Sequence, residues 1–266
     1  MSVTPAVAAL PAFKTLDALV KSAAADQEAA DDDALQHFNS LAAGAQPEVE
    51  DFLWDTYNAV FAVARQTSPE KQGPLVRFLQ RLRDTTVTAN DGQPLKLGNQ
   101  VVWKHLPTFG WVARDLWNFD ALDPSASKAE KAGWDNLSAL AAQLTARADL
   151  DNPQDPFDLS LYGLWALRTA FEQDHPAGAD VAAAVRQASL WINYSRDALQ
   201  KLSAKNRTFD AKSGNPGAKF ADRGWKGFND ERWSAWADAF TSAQASLEDD
   251  EVKGLAAKAA ESMKSN

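Results

Sequence analysis

ADVAAAVRQASLWINYSRDALQKLSA, residues 179–204, is the stretch that decides the fold. Apolar and small side chains recur in it at intervals of three and four residues, which is the period of one face of an α-helix. The face consists of Val181, Val185, Ala188, Ile192, Ser195, Leu199 and Leu202. The stretch therefore predicts one long amphipathic helix with a buried side.

The same helical period continues on both sides of this stretch. Ser127 and Glu130 have the spacing of a capping box, in which each side chain bonds the backbone N–H of the other residue. Asn229, followed by two acidic residues, predicts another helix start. Further starts are predicted at Pro47, at Ser68-Pro69-Glu70 and at Asp155-Pro156, and a last helix over 249–264. The sequence thus predicts an all-α protein, a single compact domain of about nine to ten helices.

The expected core domain covers residues 47–247, because no linker interrupts that region. Residues 1–46 are alanine-rich and acidic and are expected to form a helix or a flexible arm, and residues 248–266 a C-terminal helix. Residues 85–102 contain β-branched residues and an Asp-Gly turn, so either a short hairpin or a long ordered loop is expected. Residues 205–228 are rich in glycine and predict a long loop, a feature that is often functional.

Composition limits the function classes. The chain has 266 residues, no cysteine and a net charge of −9, which excludes disulfides and thiolate chemistry and argues against binding nucleic acid or an anionic membrane. No apolar run is long enough to span a bilayer, and no secretion signal is evident, so a cytoplasmic protein is expected. Residues 1–51 have nine acidic and two basic residues, whereas 201–228 have seven basic and two acidic ones. The basic stretch predicts either a solvated loop or a docking surface for an anionic partner.

Charged residues placed among the ten tryptophans are the candidate site. One interpretation is structural: indole N–H groups and arginines satisfy each other and backbone carbonyls where helices cross. The other is that several clusters converge on a pocket, where Arg168 or Arg114 fixes an anionic or carbonyl group and Asp115 or Glu231 moves a proton. The candidate ligand-binding residues are Trp103, Trp111, Arg114, Asp115, Trp117, Arg168, Trp191, Tyr194, Trp225 and Glu231. No catalytic residue is assigned.

Several motifs resemble those of a widespread family. The most specific are SLYGLWALR at 160–168 and Glu-Arg-Trp at 231–233, and LPTFG at 106–110 between two tryptophans is a further one. Their order and spacing resemble an all-helical fungal family that is catalogued only as a domain of unknown function. The resemblance covers roughly residues 47–245. It implies an all-helical, fungal, intracellular protein, and it implies no activity or site residues.

Motifs for metal and cofactor binding are incomplete. Glu172 and His175 have the Glu-x-x-His spacing of di-iron bundles, but no second copy of that motif is present in the sequence. The glycine-rich loops that bind nucleotides are also missing. We therefore expect no metal site and no cofactor.

Two functions are compatible with the sequence. The first is a helical pocket that binds an apolar or aromatic metabolite, or converts one without a cofactor. The second is a non-enzymatic interaction module that recruits a protein through the acidic N-terminal region or the basic loop 205–228. Self-association is a third possibility. The oligomeric state, like the ligand, is not determined by the sequence.

Overall fold

The structure is a computed structural model, and it describes residues 4–22, 26–210 and 212–264. Those residues form eleven helices, ten of them with seven residues or more, and one small sheet, so the prediction of an all-α fold is confirmed. The helices are α1 (Pro5–Ala9), α2 (Pro11–Lys21), α3 (Gln27–Gly44), α4 (Val49–Gln66), α5 (Gly73–Arg83), α6 (Phe109–Leu116), α7 (Lys128–Thr145), α8 (Ser160–Phe171), α9 (Val181–Ala204), α10 (Asp230–Ser246) and α11 (Asp250–Lys264).

The sheet is the short hairpin expected within residues 85–102. Strand β1 (Lys96–Leu97) pairs antiparallel with β2 (Gln100–Val101), and Gly98 between them adopts a φ of 58°. The predicted Asp-Gly turn at 91–92 lies beside this sheet, where Thr88 forms an isolated bridge with Pro94. The two strands are joined at Gly98, and the Asp-Gly turn closes a second short backbone pairing, in which the Leu95 N–H donates to the Val87 carbonyl oxygen over 2.7 Å and the Ala89 N–H to that of Gln93 over 2.8 Å.

The local helix signals are largely confirmed. Ser127 and Glu130 form the complete capping box at the start of α7, and the Asn229 side chain accepts from the Arg232 N–H at the start of α10. The start predicted at Pro156 is wrong, because α8 begins at Ser160. There the Asp158 carboxylate accepts from the Ser160 N–H over 3.2 Å and holds a turn before the helix. Likewise, residues 69–71 form a 3-10 turn, and α5 follows it.

The chain packs as two compact units. Unit 1 comprises residues 1–119 and 132–140, and unit 2 comprises residues 120–131 and 141–266. Helix α7 contributes residues to both. Neither boundary falls at residue 46 or 247, and the domain division predicted there stays a prediction.

Unit 1 has an aromatic core. Phe38 of α3 meets Phe78 of α5 edge-on, with ring centroids 4.8 Å apart, and Tyr57 of α4 meets Phe109 of α6 at 5.2 Å. Each such ring removes about 150–250 Å² from water, so these contacts stabilise the helix packing strongly. Helix α3 contributes Ala34, Leu35, Phe38 and Ala42 to this core.

The acidic run of α3 is also part of unit 1. Asp31 is buried, and its carboxylate accepts from Arg77 Nε at 2.5 Å and from Arg77 Nη2 at 3.2 Å. Asp32 pairs with Arg81 on the same two helices. Two acids of the N-terminal region thus hold α3 on α5.

Unit 2 is built around the long helix that the opening stretch predicted. Helix α9 covers 181–204 and is kinked at Ser195, whose hydroxyl donates to the Trp191 carbonyl over 2.6 Å. A side-chain bond of that kind competes with the helix backbone and bends it. Gly163 allows α8 to approach α9 closely, since a Cβ there would lie 2.7 Å from the Trp191 ring.

Candidate functional site

A buried ion pair joins two helices of unit 2. Glu172 follows the last residue of α8, Arg232 lies in the first turn of α10, and both side chains are 0% exposed. Arg232 Nε donates to Glu172 Oε1 over 2.7 Å and Nη2 donates to Oε2 over 2.9 Å, so the contact is bidentate. Trp236 Nε1 also donates to Oε1, over 2.8 Å.

Arg232 also holds the backbone of a long loop, residues 205–210 and 212–229, which we call the anchored loop. Its remaining N–H groups donate to the carbonyl oxygens of Gly214, Gly227 and Asn215, at 2.8, 2.9 and 3.3 Å. Together with the two bonds to Glu172, these contacts use the five N–H donors of the guanidinium. A buried charge with every donor satisfied is tolerated, whereas an unpaired one is strongly destabilising.

Glycines allow the anchored loop to lie this close to the ion pair. The Gly217 N–H donates to Glu172 Oε2 over 2.8 Å, and a Cβ at Gly217 would lie 2.3 Å from the Glu172 carbonyl oxygen. A Cβ at Gly214 would lie 1.9 Å from the Lys226 carbonyl oxygen. Any larger residue at these positions would displace the loop backbone.

Arg168 and Trp165 of α8 form a second anchor. Arg168 Nη1 and Trp165 Nε1 both donate to the Ser213 carbonyl oxygen, over 3.2 and 3.0 Å. Burial lowers the pKa of the Arg168 guanidinium, repulsion by Arg232 lowers it further, and attraction to Glu172 opposes both. The charged groups of this region are therefore used to fix one loop conformation.

An open groove of about 470 Å³ lies along the anchored loop and the start of α10. In it, Trp225 Nε1 donates to Glu231 Oε2 over 2.9 Å and Arg223 Nη1 donates to Glu231 Oε1 over 2.6 Å. The indole is almost fully buried, so it holds the carboxylate in one orientation. The groove is lined by Asn206, Thr208, Gly224, Trp225, Lys226, Gly227, Phe228, Asn229, Asp230 and Glu231.

Four of the seven basic residues of 201–228 are ion-paired within the described part of the chain: Lys201, Lys205, Arg207 and Arg223. Lys201 and Lys205 both contact Asp151, and Arg207 lies 3.2 Å from Asp158. The Lys205 contact also lowers the pKa of Asp151. This stretch therefore offers an acidic partner much less charge than its composition implies.

In unit 1, the segment before α6 has a strained backbone. Trp103, Leu106 and Thr108 have φ values of 68°, 43° and 68°, a left-handed conformation that costs a non-glycine residue roughly 1–3 kcal/mol. The Trp103 indole nitrogen and the Thr108 hydroxyl are buried and have no hydrogen-bond partner in the part of the chain that the structure describes. The segment places Phe109 in the core, where it stacks on Phe61 at 5.0 Å.

A second open groove, of about 620 Å³, lies in unit 1 between the start of α4 and the hairpin region. Its walls include Pro47, Val49, Asp91, Pro94 and Lys96. Across the three described ranges, no cluster of three or more His, Asp or Glu residues could hold a metal ion. In the same ranges, no helix is both long and apolar enough to cross a bilayer.

Comparison with known proteins identifies the family. The model of a family described as "Protein of unknown function (DUF3632)" matches residues 57–240 of the 266. The chain belongs to this family. The match lies within the range 47–245 that the motifs indicated, and it includes α8, the anchored loop and most of α10. No curated protein and no solved structure matches the chain.

Five of the predicted site residues of this DUF3632 chain lie in unit 2. Trp225 and Glu231 are brought together in the groove, and Arg168 anchors the loop from the other side. Trp191 is buried against Gly163 inside the helix packing, and Tyr194 is half-buried on α9. Only two of the five therefore line the same groove.

The other five predicted residues lie in unit 1. Trp103 is buried between Phe38 and Phe52, and Trp117 is half-buried against Trp134, with ring centroids 4.7 Å apart. The remaining three share the outer face of α6 and are exposed: Trp111, Arg114 and Asp115. These three residues form a separate exposed surface on α6.

Glu172 and Arg232 were not among the predicted site residues. They are 60 positions apart in the chain, and only folding brings them together. Both belong to motifs of the sequence, Glu172 to the Glu-x-x-His spacing and Arg232 to Glu-Arg-Trp. The closely spaced glycines at 214–227 were a further indication in the sequence, because a backbone that packs this closely against another chain segment requires glycine.

Proposed function

We propose that the protein binds a small polar molecule in the groove beside Trp225 and Glu231. The observation that carries the proposal is the anchored loop itself, which the buried Glu172–Arg232 pair holds through its backbone. A wall fixed in this way loses little conformational entropy when a ligand binds, so more of the contact energy becomes affinity.

The groove has the size and lining that such a ligand requires. Its volume of about 470 Å³ falls within the range of small-molecule sites. Its aromatic residues, Trp225 and Phe228, are buried, and exposed polar groups of Asn206, Thr208 and Asp230 lie in the lining beside apolar surface. A ligand with hydrogen-bonding groups can bind these polar groups, whereas the buried rings are not available to the apolar metabolite expected from the tryptophan content.

Ligand binding without catalysis is sufficient to explain the contacts of the charged residues around the groove. Glu231, the predicted proton carrier, is held by Trp225 and Arg223, and Arg168 bonds backbone carbonyls of the loop. The second candidate function, recruitment of an acidic protein by the basic loop, has less support because Lys205, Arg207 and Arg223 are ion-paired within the chain. The cytoplasmic location and the fungal origin stay predictions.

A groove-filling variant tests the proposal. Thr208 lies in the groove, is exposed and makes no side-chain hydrogen bond within the described residues, so Thr208→Trp is expected to fold normally and to occupy the ligand's space. The full chain is screened by ligand-observed NMR against a library of small polar fragments. Fragments that bind the wild type are expected to lose binding to Thr208→Trp by about tenfold or more.

The matched control is Thr86→Trp, which adds the same ring at an exposed position of unit 1. It is expected to bind the fragments as the wild type does. Circular dichroism checks that both variants are folded. Fragments that bind all three proteins equally, or a library with no binder at all, would overturn the proposal.

A further inference from the structure

We infer that the outer face of α6 is a contact surface for a second copy of this chain. The surface consists of Gly110, Trp111, Arg114 and Asp115, all of them exposed. Trp111 is 65% exposed, the one large hydrophobic side chain of the described residues that is so open to solvent. Tryptophan and arginine are the residues most enriched at the energetic centres of protein interfaces.

The fold fixes this face in its outward position. The inner residues of α6 are buried, and Phe109 packs on Tyr57 and Phe61 of α4. The preceding segment reaches α6 only through the left-handed residues described above. Strain of that kind is retained where the surrounding structure holds a residue in a particular position, often at a functional surface. The exposure of Trp111 is therefore a property of a rigid element.

The charges on the face are complementary to themselves. Arg114 and Asp115 are adjacent, carry opposite charges and have no ion-pair partner among the residues that the structure describes. When two α6 helices lie side by side and parallel about a two-fold axis, Arg114 of each copy faces Asp115 of the other, because successive residues lie about 100° apart around a helix. An isologous contact requires this reciprocity, and two-fold dimers are the commonest oligomers. This charge pattern favours a second copy over an unrelated partner.

The same arrangement brings Trp111 into the contact between the two copies. At about 100° per residue, Trp111 lies between Arg114 and Asp115 around the helix, one turn before them. It therefore faces the Trp111 of the other copy across the axis. Gly110 leaves open space next to the ring, since a Cβ there would meet nothing within 4 Å.

The size of the surface determines the affinity expected for the dimer. An eight-residue helix is about 12 Å long, and its outer face is smaller than the roughly 800 Å² per partner of a standard interface. We therefore expect a weak, concentration-dependent dimer. The full chain should sediment with a mass that rises from that of a monomer towards that of a dimer between micromolar and millimolar concentration.

Charge-swap variants test the arrangement. Arg114→Asp and Asp115→Arg each place two like charges on the face, so each alone is expected to stay monomeric in sedimentation velocity. Mixed in equal amounts, they restore both opposite-charge contacts and are expected to form a heterodimer. Trp111→Ala is expected to weaken the wild-type dimer by about tenfold or more.

Asp238→Arg is the matched control, a charge reversal at an exposed position of α10 without an ion-pair partner in the described ranges, and it is expected to dimerise as the wild type does. All substituted positions are exposed, so the variants are expected to fold, which circular dichroism checks. A wild type that stays monomeric, a dimer that Trp111→Ala leaves unchanged, or charge variants that do not associate on mixing would each overturn the inference. Thr208→Trp should dimerise normally, which keeps this test separate from that of the groove.

Discussion

At the scale of single residues, Tyr57 places a polar hydroxyl in the buried core of unit 1. Its side chain is fully buried in unit 1, and its hydroxyl has no hydrogen-bond partner among the described residues. A buried polar group without a partner costs about 1–3 kcal/mol. Burial also raises the pKa of the phenol well above its usual value. The ring packs edge-on against Phe109, so the hydroxyl is the group whose burial is unfavourable.

Tyr57→Phe is therefore expected to raise the free energy of unfolding at neutral pH by about 1 kcal/mol. The pKa is raised in the folded state, so this group leaves the free energy of unfolding independent of pH below about pH 10, the pKa of an unfolded tyrosine, and lowers it as pH rises further, because the unfolded phenol ionises first. Urea denaturation at neutral and alkaline pH measures both effects. The wild type should lose more stability above that pH than Tyr57→Phe, and a destabilised variant at neutral pH would contradict the prediction.

At the scale of elements, the anchored loop depends on one carboxylate. Glu172 receives two bonds from Arg232, one from Trp236 and one from the Gly217 backbone, and so joins α8, α10 and the loop. Removing its charge leaves the Arg232 guanidinium buried without a counter-charge. The stability of unit 2 and the order of its loop should therefore fall together.

Glu172→Gln is expected to lower the free energy of unfolding by about 3–5 kcal/mol, the cost of breaking a buried ion pair. Urea denaturation measures the loss, and hydrogen exchange should show faster exchange of the Gly217 and Lys219 amides. The control is Lys21→Gln, which removes an exposed pair with Asp17 and is expected to cost at most about 1 kcal/mol. Equal stability losses in the two variants would show that burial of the pair contributes nothing.

At the scale of the whole molecule, each compact unit is built from two separate segments of the chain. Unit 1 includes residues 132–140 from α7, which follow a segment that belongs to unit 2. Within unit 1, Asn136 accepts from Gln72 over 2.7 Å, and Trp134 stacks on Trp117. A fragment that ends at residue 119 lacks these contacts.

The fragment 1–145 is expected to unfold cooperatively in urea, whereas 1–119 is expected to be less stable by about 3 kcal/mol or more, since removing a buried tryptophan alone costs that much. The fragment 1–127 is the control, because it is longer than 1–119 but still lacks α7. It should resemble 1–119. If 1–119 proved as stable as 1–145, then residues 132–140 would not be needed in unit 1.

The sequence by itself determined the helical class and most helix ends. The period of α9, the capping box at Ser127 and the cap at Asn229 depend on residues at most four positions apart, so a local pattern predicts them well. The start at Pro156 was wrong because the side chains of Asp155 and Asp158 stabilise turns there, which compete with the helix. Trp225 and Glu231 were each candidate site residues, and their role in binding stays a prediction.

Only the tertiary structure decided which charged residues meet. Arg168, Trp191 and Tyr194 were predicted to line a site, yet the first bonds the anchored loop and the second lies in the helix packing. The pair that organises unit 2, Glu172 and Arg232, is separated by 60 residues. The physical reason is that helix formation is local, whereas the pairing of a buried charge depends on which distant backbone and side-chain groups packing brings within hydrogen-bond distance.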